Sequence, residues 1–232
     1  MCVAVLAVGC GETAQDLVEL PVHGAGTGET SFTSDGGWLV TLERADVALG
    51  PIYFCATPFA DLDVCPRAEA ELLVASSVDA LDASPQMLGM AQGITATTRS
   101  SMLDYGIHWR LTAPEPEALA GSVDGHSAVF VVRAEREGRT LRVELALDIA
   151  PRAAGANAVI GAPTGGHAIT GREALVIRLD PVAWWRSVDF EALAAEDLDG
   201  DGVVVPERGG RTHDTIVIAM ISGRLPVFEW SE

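Results

Sequence analysis

Apolar and polar positions alternate through much of this chain. The clearest case is the run Ser127–Glu135, a turn through Glu137-Gly138, and the run Leu141–Ile149. In its second arm Leu141, Val143, Leu145, Leu147 and Ile149 fall on one side, and Arg142, Glu144 and Asp148 on the other. That period of two predicts a hairpin with one buried and one wet face. Ser31–Thr33 and Trp38–Leu42, joined through Asp35-Gly36-Gly37, predict another hairpin. Gly50-Pro51 breaks the chain before a strand at Ile52–Cys55, and Glu71–Val78, Ala174–Leu179, Thr215–Ile221 and Val227–Trp230 read as further strands. Asp180-Pro181 is a helix start, with Asp as N-cap and Pro at the first helical position. A short helix over Val182–Arg186 follows, and Asp189–Leu193 opens a second. Ser100–Tyr105 reads as a further short helix, and Gly161–Gly166 as a loop. The expected fold is all-β: an antiparallel β-sandwich or partly open barrel, with one or two short helices near residues 181–194.

One stretch departs from this alternation. In Asp197-Leu198-Asp199-Gly200-Asp201-Gly202, three carboxylates are spaced by two and closed by glycine. Carboxylates this close repel at roughly 1 kcal/mol per pair in a high-dielectric setting, and a hard cation relieves that. Asp197, Asp199 and Asp201 would be the first ligands of a calcium loop, Gly202 its sharp turn, the Val203 carbonyl the next ligand, and Val204 its apolar pin to the core. Arg208 stands where an EF-hand has its bidentate glutamate; Glu207 lies one place earlier, after Pro206. The loop therefore resembles the DxDxDG loops of dockerin-type and thrombospondin-type repeats more than an EF-hand pair. The same residues also suit a metal-free surface turn whose side chains cap their own backbone. Strand, helix, acidic loop and strand over 174–221 resemble exported β-rich proteins of environmental bacteria; no functional residue carries over from that resemblance.

The amino-terminal run Val3-Ala4-Val5-Leu6-Ala7-Val8-Gly9-Cys10 is apolar and then turns polar. Ala7-Val8-Gly9-Cys10 resembles a bacterial lipobox, which implies lipidation at Cys10 and export to the periplasm, outer membrane or cell surface. Ala7 replaces the usual leucine and no basic residue precedes the run; a start site upstream of Met1 would account for the latter. A buried first strand is the alternative. The expected division is 1–10 as signal segment, 11–28 as tether and 29–232 as one domain. Cys55 and Cys65 are expected to form a disulfide, in keeping with an oxidising compartment; a pair of free buried thiols is the alternative, and their spacing is wider than zinc ligands usually show.

Composition narrows the partners. There are 33 acidic and 15 basic residues, and every basic one is arginine, for a net charge of −18. Nucleic acid and anionic membrane surfaces are disfavoured, which leaves membrane contact through a lipid anchor. Hydrophobic content of 48% excludes a disordered chain.

Three of five histidines, His126, His167 and His213, read as lying at strand starts, where neighbouring strand ends can converge; three imidazoles there would bind copper or zinc, with Asp124 or Asp214 orienting a ring. None shows HxH or HxxxH spacing, and scattered surface histidines are the alternative. In Trp184-Trp185 one ring is expected in the core and one partly exposed, and Met87, Met90 and Met102 read as core filling. Nucleophile elbows, phosphate loops and HExxH are not found. Alternating Asp61/Asp63 and Glu69/Glu71 are the remaining acid–base candidates. The expected role is an exported, lipid-anchored binding protein with a structural calcium and no catalysis; a copper or zinc carrier and a carboxylate-based hydrolase are the alternatives.

Overall fold

The computed structural model describes residues 15–58, 65, 68–197 and 200–231. Along them run β1 (Leu17–Ala25), β2 (Ser31–Thr33), β3 (Leu39–Leu49), β4 (Ile52–Cys55), β5 (Ala70–Leu72), β6 (Ser76–Asp79), β7 (Gln86–Ile94) and β8 (Ala96–Leu103). Then come β9 (Ile107–His108), β10 (Glu117–Ala118), β11 (Ala128–Arg136), β12 (Arg139–Leu147), β13 (Val159–Ile169) and β14 (Ala174–Arg178). The helices α1 (Pro181–Trp185) and α2 (Phe190–Glu196), the short β15 (Val203–Val204), helix α3 (Arg211–Ile218) with a π-helical turn at Ala219–Gly223, and β16 (Val227–Ser231) complete the order.

Two sheets share one core. The larger runs β13-β8-β4-β5-β7-β1-β14-β16 and curls until its ends meet. There the Trp230 indole donates to the Thr164 carbonyl at 2.9 Å, and the His167 ring stacks on Trp230 at 4.3 Å. The smaller sheet runs β15-β12-β11-β3-β2, with β6 also on β3. One cluster of buried side chains joins both sheets and the helices. The all-β expectation holds, and its main hairpin is β11–β12, with Leu141, Val143, Leu145, Leu147 and Ile149 buried. Asp180 and Asp189 cap α1 and α2, accepting from the Ala183 and Ala192 amides at 2.9 and 3.1 Å.

Several expectations are corrected. Residues 17–25, expected within a tether, form β1, which lies between β7 and β14 inside the large sheet. Pro21 stands opposite Met90 of β7, and the pairing with β14 begins one residue later, at Val22. Ser100–Tyr105 is not a helix: most of it belongs to β8, whose hydroxyls are buried but bonded, Ser100 to the Thr57 carbonyl at 2.7 Å and Thr98 to Thr164 Oγ1 at 3.2 Å. Thr215–Ile221 is not a strand but the end of α3 and the π-helical turn. The buried residues of this helical stretch, Thr212 or His213, then Ile216, then Met220, follow one another at three or four positions and share one face, so packing overrides the β preference of its branched residues. Glu71–Val78 splits between β5 and β6, and Gly161–Gly166 lies within β13. Trp184 and Trp185 are both fully buried, edge-on to Phe130, whereas Met87 and Met90 are exposed on β7.

Candidate functional site

The acidic loop leaves the end of α2. Asp197 accepts from the Gly200 and Gly202 amides at 2.9 and 3.1 Å, and Asp201 accepts from the Val203 amide at 2.8 Å. Gly202 has φ +80°, the sharp turn expected of it, and Val204 is buried as the apolar pin. Val203 and Val204 pair in parallel with Arg142 and Val143 of β12. Asp197, Val203 and Glu207 line one cavity of about 590 Å³ together with Glu196. Asp199 lies outside the described residues, as do Cys10, Asp61 and Asp63.

The three histidines do not sit together at strand starts. His126 lies in the turn before β11, His167 near the end of β13 and His213 within α3. Each has its own carboxylate: Asp148 at 2.7 Å, Glu173 at 3.8 Å and Asp214 at 3.0 Å. Among the described residues no group of three or more His, Cys, Asp or Glu side chains is arranged to hold a metal ion. Asp124 turns toward Arg44 instead of an imidazole. Cys55 and Cys65 form the expected disulfide, their Cα atoms 5.7 Å apart.

A different site emerges beside that disulfide. The chain leaves β8 at Asp104, reverses through Tyr105-Gly106, and enters β9 at Ile107–His108. Gly106 has φ +71°, and a Cβ there would meet the Ala48 Cβ at 2.5 Å, so glycine is required for the reversal. Tyr105 anchors the turn by donating to the Met220 carbonyl at 2.9 Å. The reversal brings Asp104 to His108, whose Nδ1 lies 2.7 Å from the Asp104 carboxylate. Asp104 is fully buried and also accepts from the Ala158 amide at 2.7 Å and the Asn157 side-chain amide at 3.2 Å. Burial pushes its pKa up to about 6 against the pull of the Ala158 amide, His108 and Asn157. At neutral pH it is an acceptor, so His108 carries its proton on Nδ1 and keeps the Nε2 lone pair free.

His108 lines a cavity of about 410 Å³ with Tyr53, Glu71, Met102, Arg110 and Asn157. Tyr53 stands opposite Met102 of β8 on one side and Glu71 of β5 on the other. Burial and the nearby charges of Asp104 and Glu71 raise the Tyr53 pKa, so its hydroxyl stays a donor. Arg110 pairs with Glu117 at 3.2 Å, and exposed Leu111 forms an apolar part of the lining. Glu71 also borders a larger cleft of about 980 Å³ with Glu19, Glu69 and Gln92. Sequence reasoning missed this site because Asp104 and His108, four residues apart around a glycine, match no motif and the segment read as helix. No protein-family model matches the chain, and no curated protein or solved structure matches it.

Proposed function

We propose that the chain is an exported binding protein whose ligand site is the cavity beside the Cys55–Cys65 disulfide, taking a neutral, hydroxyl-rich molecule of one or two sugar rings. The observation that carries this reading is the lining: donors on Tyr53, Arg110 and Asn157 and acceptors on Glu71 and His108 surround the apolar Met102 and Leu111. Hydroxyls both donate and accept, and a sugar ring offers apolar C–H faces, so such a mixture suits them. The volume lies in the range of roughly 300–1,000 Å³ usual for small-molecule sites. A net charge of −18 disfavours anionic ligands. Export is supported by the disulfide, and attachment through Cys10 by the lipobox resemblance. Saturation-transfer NMR with cellobiose checks the reading. Transfer from wild type to cellobiose is expected, and is expected to be lost in Glu71→Ala; transfer to putrescine or glucose 6-phosphate instead, or none, removes it.

A structural calcium in the 197–207 loop is a second reading, supported by Asp197, Val203 and Glu207 lining one cavity. Calcium at matched ionic strength is then expected to raise the melting temperature of wild type and not of Asp197→Ala. Equal shifts in both proteins exclude it.

A further inference from the structure

We infer that His108, oriented by Asp104, acts as a general base on water in this cavity, so that the protein hydrolyses a small carboxylic ester of a neutral alcohol. The inference rests on the cavity being the ligand site and goes beyond binding. A buried carboxylate 2.7 Å from Nδ1 fixes the ring and its tautomer, and leaves Nε2 as a base on a residue that lines the cavity. The nucleophile is water: no hydroxyl, thiol or amine among the described lining residues is free to attack, and a carboxylate such as Glu71 would have to displace an alkoxide far more basic than itself. Cys65 is held in the disulfide, Tyr53 keeps its proton, and among the described residues no serine, threonine or lysine side chain lines the cavity.

The step closes on substrate and water alone. As the water oxygen bonds to the ester carbonyl carbon, its proton passes to His108 Nε2 and the carbonyl electrons move onto oxygen. The Tyr53 hydroxyl is one donor in the lining that can meet that oxyanion, with Arg110 beside it. Collapse of the tetrahedral intermediate breaks the bond to the alcohol oxygen, which takes the proton back from the imidazolium. Acid and alcohol leave, and His108 is again neutral. An oxyanion donor and one acid–base group suit an ester, whose leaving group departs far more readily than an amine. Asp104 is a positioning residue: it touches His108 and not the substrate. Among the described residues, the charged and titratable groups facing this pair are Tyr53 from β4, Glu71 from β5, and Arg110 after β9.

p-Nitrophenyl acetate is the chemical probe. The chain has no lysine, so the usual side reaction of activated esters with surface amines is confined to the amino terminus. Wild type is expected to exceed free imidazole at equal concentration. His108→Gln, shown folded by circular dichroism, is expected to fall by about 10²–10⁴-fold. His126→Gln serves as control; it removes a solvent-exposed imidazole that is also bonded to a carboxylate, and is expected to match wild type. Asp104→Asn is expected to lower kcat with little change in KM and, by removing the negative charge that favours the imidazolium, to move the acid limb of the rate profile to lower pH without removing it. Wild type no faster than imidazole, or undiminished turnover in His108→Gln, overturns hydrolysis. Cellobiose transfer on the same samples separates the two claims. Transfer without turnover sinks the chemistry alone, turnover without transfer sinks the sugar ligand alone, and neither signal sinks both.

Discussion

Asp104 is where burial and charge conflict most directly. Its carboxyl has no exposed surface, and three donors only partly replace the water it has lost. Its folded pKa of about 6 stands above the ordinary 3.8, so between those values the folded state binds more protons than the unfolded chain. Stability from this group is therefore fully present below about pH 4 and is lost as pH rises through 6, by up to about 3 kcal/mol. An amide in its place does not titrate. Asp104→Asn is expected to be at its greatest disadvantage against wild type at pH 4, and to recover relative to it by pH 7. Urea midpoints of both proteins at the two pH values check this; a gap that does not change with pH would show that Asp104 is not held protonated by burial. Glu173 behaves in the opposite sense. Burial raises it, but the amides of Thr170 and Arg172 and the Thr170 hydroxyl outweigh that and hold its pKa at about 2. A carboxylate satisfied by its own turn stays charged; one met by an imidazole and two amides beside a cavity is poised to share a proton.

At the level of elements, the seam between β13 and β16 decides whether the large sheet is a barrel or an open sheet. Trp230 carries that seam: its indole bonds the Thr164 carbonyl, its face meets His167, and its ring contacts Phe54 at 6.2 Å. Trp230→Ala is expected to cost about 2–4 kcal/mol and to speed hydrogen exchange at β13 and β16 more than at β11 and β12. Uniform acceleration across all four strands would mean that the seam is not a separate closing contact. The strands that alternate cleanly were legible beforehand, β11, β12 and β14 above all, because one buried and one wet face leave a period of two in the sequence. Those that escaped notice break that rule for physical reasons. β1 carries Pro21 and Gly24, β8 buries Thr98, Ser100 and Ser101 against carbonyls, and α3 reads as strand because Thr215–Ile218 are β-branched. The disulfide and the Val204 pin were legible, since each is a local pairing. The Asp104–His108 pair was not: it depends on a reversal at Gly106 and on Asn157 and Ala158 arriving from more than fifty residues away.

Across the molecule, the charge is the dominant long-range force. With 33 acidic side chains against 15 arginines, the compact state carries −18, and like charges are pressed closer together than in the unfolded chain. Local relief is substantial. Arg142 bridges Glu43 and Glu144, Arg178 pairs with Glu229 through Nε and Nη2, and Arg136 and Arg139 reach Glu191 while lying over the Trp38 ring. These exposed pairs are each worth at most about 1 kcal/mol, and the unpaired excess of carboxylates remains. Screening weakens both the pairs and the net repulsion. With eighteen more negative than positive groups, the repulsive sum is the larger, so salt should stabilise the fold. Raising sodium chloride from about 10 to 200 mM shortens the Debye length from roughly 30 to 7 Å, a distance still spanning a salt bridge but not the protein. The melting temperature is therefore expected to rise over this range and then level off. A fall would mean that the arginine bridges outweigh the excess charge, and that the acidic surface is neutralised within the fold and not by the medium around it.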